Sequence, residues 1–140
     1  MTFASFEILD NNVIQVTLVS AADGISPSDL DDFLAGLVVF LDQKIPFFLI
    51  IDASKVHTAS LNFATRIVNF MRENREKFKM YTRATAVIIT SSIVRYILNV
   101  VFSFQPPVSP HEVVSNIEDA HAFHALIRAS PPPGLPALPL

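Results

Sequence analysis

The chain is predicted to fold as one α/β domain, a single mixed β-sheet of four to five strands flanked by about four helices. Three observations carry this. Segments with strand and helix patterns follow each other in the order β-β-α-β-α-β-α-(β)-α, which gives a mainly parallel sheet opened by one antiparallel pair. The inner strands are short apolar runs without alternation, as in strands covered on both faces. Finally, the 140 residues are 51% hydrophobic and only 16% charged, against a typical charged share of about 25%. That composition suits one well-buried core and excludes disorder of the whole chain.

Element by element, Phe6–Leu9 and Val13–Val19 read as two strands joined at Asp10-Asn11-Asn12, residues that tolerate the left-handed backbone of a hairpin turn. Ser26-Pro27-Ser28-Asp29 starts the first helix: Ser26 caps, Pro27 suits the first helical position and Asp29 complements the dipole. Leu30, Phe33, Leu34, Leu37, Val38 and Leu41 then form an amphipathic stripe to about Asp42. Phe47–Asp52 reads as a central strand and 53–59 as a polar loop. The second helix spans Ser60 to about Phe78, with Phe63, Ala64, Ile67, Val68 and Met71 on one face. Thr85–Thr90 is a further buried strand. Ser91-Ser92 caps a third helix with Ile93, Val94, Ile97, Leu98, Val101 and Phe102 on its apolar face, ended by Pro106-Pro107. His111–Val114 is a short strand candidate. Ile117–Arg128 is a fourth helix with Ala120, Phe123, Ala125, Leu126 and Ile127 as its apolar set. The domain is assigned to residues 1–129. Residues 130–140, with five of the ten prolines and two overlapping Pro-x-x-Pro spacings, are read as a Pro-rich tail.

Charge is unevenly spread. Residues 1–43 hold seven acids and no Lys or Arg; residues 44–95 hold nine bases and three acids; the rest holds one base and three acids, for a net charge of −3. Five bases lie between Arg72 and Arg83, but Glu73 and Glu76 interleave them at i,i+4 from Lys77 and Arg72, the pattern of a solvated helix. With net −3 and no recognisable binding motif, nucleic acid is not an expected partner. The longest apolar run, Phe33–Leu41, is nine residues, about half of a membrane span. No secretory signal is read at the N-terminus. With no cysteine, a cytoplasmic location is expected.

The run Phe48-Leu-Ile-Ile-Asp-Ala-Ser-Lys-Val56 resembles the strand-then-Asp-x-Ser-x-Val signature of STAS domains, the sulfate-transporter and anti-sigma-factor-antagonist family. The hairpin, the Ser-Pro start of the first helix and the final helix with Glu118-Asp119-Ala120 and Ala125-Leu126 extend the likeness over roughly residues 5–128. The resemblance implies a STAS-like fold and a regulatory, protein-binding role centred on Asp52, Ser54, His57, Thr58 and Ser60. In that family a loop after this strand carries Asp-Ser-Ser-Gly, whose Ser or Thr is phosphorylated to switch binding. Aligned without gaps from Asp52, this chain has Ser60, Leu61, Asn62 and Phe63 there. The phospho-acceptor is absent from its usual place.

The residues themselves allow several chemistries. The Thr58–Asn62 corner precedes a helix, where a hydroxyl can cap or take a phosphoryl group. His57 beside Asp52 and Lys55 is the best candidate general base, but no nucleophile elbow, phosphate loop or His-Glu-x-x-His accompanies it. His121 and His124 at i,i+3, with Glu118, lack the convergent set that a metal needs, so no metal and no cofactor are expected. The third helix also carries Tyr96, Val100 and Phe104, making it apolar nearly all round; burial, a subunit contact or an apolar pocket would each account for that. The leading reading is a non-enzymatic STAS-like interaction module whose partner contacts Ser54 to Asn62. A homodimer through Tyr96, Val100 and Phe104 is expected as well. The alternative is a carrier of a small apolar, lipid-like ligand with its pocket beside the third helix.

Overall fold

The computed structural model describes residues 3–10, 12–20 and 24–129. Ten elements follow in order: β1 (Ala4–Leu9), β2 (Val13–Val19), α1 (Pro27–Asp42), β3 (Phe47–Lys55), α2 (Leu61–Glu73), α3 (Arg75–Tyr81), β4 (Thr82–Ile88), α4 (Ser92–Phe104), β5 (His111–Val114) and α5 (Ile117–Ala129). They build one five-stranded sheet in the spatial order β1-β2-β3-β4-β5. β1 runs antiparallel to β2, and β2, β3, β4 and β5 are mutually parallel. The hairpin turns through Asn12 at φ 61°, the conformation that its Asx-rich sequence favours. The Pro-rich segment 130–140 lies outside the described residues.

Because neighbouring parallel strands are consecutive in sequence, each crossover helix returns over the same face. α1, α2, α3 and α4 therefore share one side of the sheet, where they pack on Ile14, Val16, Leu18, Phe47, Leu49, Ala53, Val87 and Ile89. Among the described residues, α5 alone covers the other side, over Val13, Phe48, Ile50, Ala84, Ala86, Ile88 and Val114. Successive residues of β3 thus alternate between two apolar environments. This is the physical reason that its sequence shows no polar alternation. On α1, Gly36 lies under the Phe6 ring, which occupies the space that a Cβ would need.

The sheet is as expected, but among the described residues the helices number five. The long second helix breaks at Asn74 (φ −110°, ψ 16°), whose side chain donates to the Phe70 carbonyl at 3.0 Å. The break undoes the expected i,i+4 pairs: Lys77 instead meets Asp42 on α1 at 2.7 Å, Arg66 pairs with Asp31, and Arg72 donates to the Phe104 carbonyl. These contacts tie α2 and α3 to their neighbours. β3 runs to Lys55, through part of the predicted loop, and β4 begins at Thr82, earlier than expected. Between Phe47 and Phe48 the β3–β4 register shifts, leaving Arg83 as the extra, buried residue of a bulge. On α5 the buried set is Ala120 and His124, with Ile117, Phe123 and Ile127 partly buried, while Ala125 is exposed and Leu126 is 64% exposed. Among the described residues no helix is long and apolar enough to cross a membrane.

Candidate functional site

At the carboxyl ends of β2, β3 and β4 three helices begin, each on a serine. Ser26 accepts from the Asp29 amide at 3.1 Å, Ser60 from Phe63 at 3.2 Å and Ser91 from Val94 at 3.3 Å. This is the edge of an open parallel sheet where ligands and partners are met, because strand ends and helix starts both terminate there. The predicted residues Asp52, Ser54, His57, Thr58 and Ser60 all fall on this edge, and two unpredicted ones, Thr90 and Ser91, join them.

Hydroxyls hold the edge together. Asp52 Oδ1 accepts from the Ser54 hydroxyl at 2.6 Å and from its amide at 3.0 Å, a local bridge within the last residues of the strand. Thr90 donates to the Ser54 carbonyl and Ser91 to the His57 carbonyl, both at 3.0 Å, fastening the β4–α4 connection to the β3–α2 loop. Gly24, at φ 112°, packs opposite the Thr58 methyl; only glycine takes that backbone conformation without strain. Thr58 is half-buried, whereas His57 and Ser60 are exposed. The carboxylate of Asp52 serves Ser54, and among the described residues no hydrogen bond or ion pair joins it to His57. The base-and-orienter arrangement considered for His57 is therefore not formed.

Ser91 does two jobs and Ser60 one, which separates their expected effects. Ser60→Ala removes a cap and is expected to cost about 1 kcal/mol. Ser91→Ala also leaves the His57 carbonyl without its donor and is expected to cost about 1 kcal/mol more. Equilibrium urea unfolding of both variants checks this; equal losses would show that the tie between the two loops carries no stability.

Tyr96, Val100 and Phe104 lie apart from the loop, along the outer face of α4. Tyr96 is 63% and Phe104 66% exposed, and Val100 is partly buried against α2. Ile93, one turn before Tyr96, is 53% exposed, so that Ile93, Tyr96 and Phe104 are the exposed apolar residues of this side of the helix. Leu61, the first residue of α2, is 61% exposed. It went unnoticed in the sequence because its i, i+3, i+7 spacing with the buried Ala64 and Val68 places it on the core-facing stripe, and only its position at the helix start leaves it in the open. The opposite face of α4 buries Val94, Ile97 and Val101. Beneath it, between the sheet and α2, lies an apolar cavity of about 160 Å³ whose lining includes Phe33, Leu49, Ile67, Phe70, Leu98 and Phe102. A pocket beside this helix is thus present, but Tyr96, Val100 and Phe104 do not line it.

No protein-family model matches the chain, and no curated protein matches it. Among solved structures, an uncharacterised protein of the DUF3478 family with a SpoIIAA-like fold, from Shewanella loihica PV-4, is similar with a TM-score of 0.60 at 15% identity. The match covers 86% of this chain and 90% of that one. The fold is SpoIIAA-like. This is the STAS-type architecture that Asp52-x-Ser54 and the element order pointed to, and at this identity the likeness concerns the fold alone.

Proposed function

We propose that the SpoIIAA-like domain is a non-enzymatic interaction module that meets a protein partner with the Ser54–Asn62 loop and the adjoining starts of α2 and α4. The observation that supports this is the arrangement of Leu61 and Ile93. Both stand exposed in the first turns of two packed helices, and the chain next to them in sequence carries the polar residues His57, Ser60, Asn62, Thr90 and Ser92. An apolar centre within a polar rim is the anatomy of a protein-binding patch, and Tyr96 and Phe104 continue it along α4. A second copy of this chain is the first partner to test. With Leu61→Asp and Ile93→Asp combined, affinity capture of partner is expected to fall at least tenfold while the circular dichroism melt stays unchanged. Full capture by that variant would remove the patch from the account. In sedimentation equilibrium, a wild type running at the 15.5 kDa monomer mass throughout the micromolar range would refute self-association. A dimer indifferent to Val100→Asp would move the contact off α4.

The cavity favours a second reading, an apolar-ligand carrier. Its volume decides what it holds: a cavity of about 150 Å³ takes a benzene-sized guest, so about 160 Å³ accommodates a ring or a short acyl segment and not a whole lipid. A reproducible non-covalent adduct in native mass spectrometry of freshly purified protein would support this reading, and its absence would favour the interaction module.

A further inference from the structure

The two edges of the sheet are finished differently. β5 is four residues long, follows Pro110 and opens on the exposed, polar His111 and Glu112, features that keep an edge from pairing further. β1, at the other edge, has no strand on its outer side among the described residues. Its six residues, Ala4-Ser5-Phe6-Glu7-Ile8-Leu9, include no proline, lysine or arginine, and their register with β2 runs without a bulge. The ladder shows which backbone groups are free. Val19 donates to the Phe3 carbonyl at 2.8 Å and, on the far side of β2, Phe48 donates to the Asn12 carbonyl at 2.8 Å, so the odd-numbered residues of β2 bond to β1 and the even-numbered ones to β3. By the alternation of an antiparallel pair, Ser5, Glu7 and Leu9 exchange bonds with Thr17, Gln15 and Val13, whereas the N–H and C=O of Ala4, Phe6 and Ile8 point outward. The side chains of these last three share the α1 face: Phe6 stacks on Phe33 and Phe40, and Ile8 is left 71% exposed.

We propose that β1 pairs antiparallel with β1 of a second copy of this chain, joining the two sheets into one about a two-fold axis at Phe6. The strand's match to itself selects this occupant. Its outward residues are spaced evenly about Phe6, so with Phe6 opposite its counterpart, Ala4 falls opposite Ile8 and Ile8 opposite Ala4. Each of these pairs exchanges both its hydrogen bonds, and no outward group of Ala4, Phe6 or Ile8 is left over. The side chains agree with this register. The exposed Ile8 comes over the small Ala4 and beside the Phe6 ring, and Glu7 comes opposite the Ser5 hydroxyl, whereas a slip that put the axis at Glu7 would set two carboxylates against each other. A two-fold contact is closed, so assembly stops at the dimer. β1 is one edge of the sheet, while α4 connects β4 to β5 at the other; the pairing therefore does not rest on the Leu61–Ile93 patch and leaves it free.

Two variants at one outward residue test this. Ile8→Pro removes an N–H that takes no part in the β2 ladder, at a sheet edge where proline is tolerated; Ile8→Lys sets a charge on the same edge and leaves the backbone unaltered. Sedimentation equilibrium of the full chain across the micromolar range is expected to show a dimer for the wild type and for Val100→Asp. The dissociation constant is expected to rise at least about tenfold in Ile8→Pro, since by symmetry each strand loses a donor, and to rise in Ile8→Lys, both with the wild-type circular dichroism spectrum. Amide exchange followed by NMR locates the contact: the amides of Ala4, Phe6 and Ile8 are expected to gain protection as protein concentration rises, while those of Ser5, Glu7 and Leu9 are protected at every concentration. A monomeric wild type, a dimer unmoved by both Ile8 variants, or a dimer whose Phe6 and Ile8 amides exchange as fast as in dilute protein would each overturn the proposal. Capture of partner through Leu61 and Ile93 is expected to be the same in the Ile8 variants as in the wild type, so that failure of either reading is seen separately.

Discussion

Phe48→Ala is expected to destabilise the domain by about 3–5 kcal/mol, the usual loss for deleting a buried phenyl group. Phe48 is 1% exposed near the start of the central strand β3, paired with Val13 on one side and Ala84 on the other. Its ring fills the space under α5, with His124 and the Arg128 guanidinium against it. The buried residues around it include Ala84, Ala86 and Ala120, side chains too short to close the void, so the cavity stays open. Against a total stability of about 5–15 kcal/mol, such a loss brings the fold near its limit. Phe104→Ala makes the control: the same deletion at a position 66% exposed is expected to change stability by no more than about 0.5 kcal/mol. Urea denaturation midpoints of the two variants decide the matter. Similar midpoints would mean that the α5 side of the sheet contributes little to the core.

The sheet was legible because its signals are local. Asn12 takes the left-handed turn that the Asx run foretells, Ser26, Ser60 and Ser91 cap the helices they were expected to cap, and β3 shows the unbroken apolar run of a strand with two covered faces. What was not legible depends on contacts between distant segments. The break at Asn74 follows no glycine or proline; the helical pattern of Phe70, Met71 and Phe78 runs across it, and the chain turns there so that Lys77 reaches Asp42 and Phe78 meets Phe70 edge-on. β3 continues past Asp52 because the Asp52–Ser54 bridge closes on the strand itself, and in the sequence such polar residues look like a loop.

The candidate site was legible to the same degree. Asp52, Ser54, His57, Thr58 and Ser60 were found as a segment and do lie on one edge, yet Thr90 and Ser91, 30 residues further on, join them only through the crossover. α4, apolar nearly all round, offered three explanations; the structure places one face in the core and leaves Tyr96 and Phe104 outward. The sequence singled out His124 only as the i,i+3 neighbour of His121. Its spacing from Ile117, Ala120 and Ile127 is the signal that was available: 117, 120, 124 and 127 are one stripe, and a histidine within an apolar stripe is carried into the core with it.

That burial is expected to make the domain sensitive to mild acid. His124 has an ordinary pKa near 6.5, lowered in the fold to about 4, first by desolvation and then by the charges of His121 and Arg128, against the bond to Leu49 that favours the proton. The unfolded chain therefore binds a proton at this residue at a higher pH than the native state does. Stability attributable to His124 is complete above about pH 6.5 and is lost as the pH falls toward 4. At 1.36 kcal/mol per unit of difference the full loss is about 3 kcal/mol, of which about 2 kcal/mol is gone by pH 5. His124→Gln provides the reference, since its amide can donate to the Leu49 carbonyl and cannot titrate. Unfolding free energies at pH 7, 6 and 5 are expected to fall steeply for the wild type and to stay nearly level for the variant. A wild type as stable at pH 5 as at pH 7, or a variant that tracks its slope, would place the acid sensitivity elsewhere and show that the His124 ring accepts its proton without leaving the core.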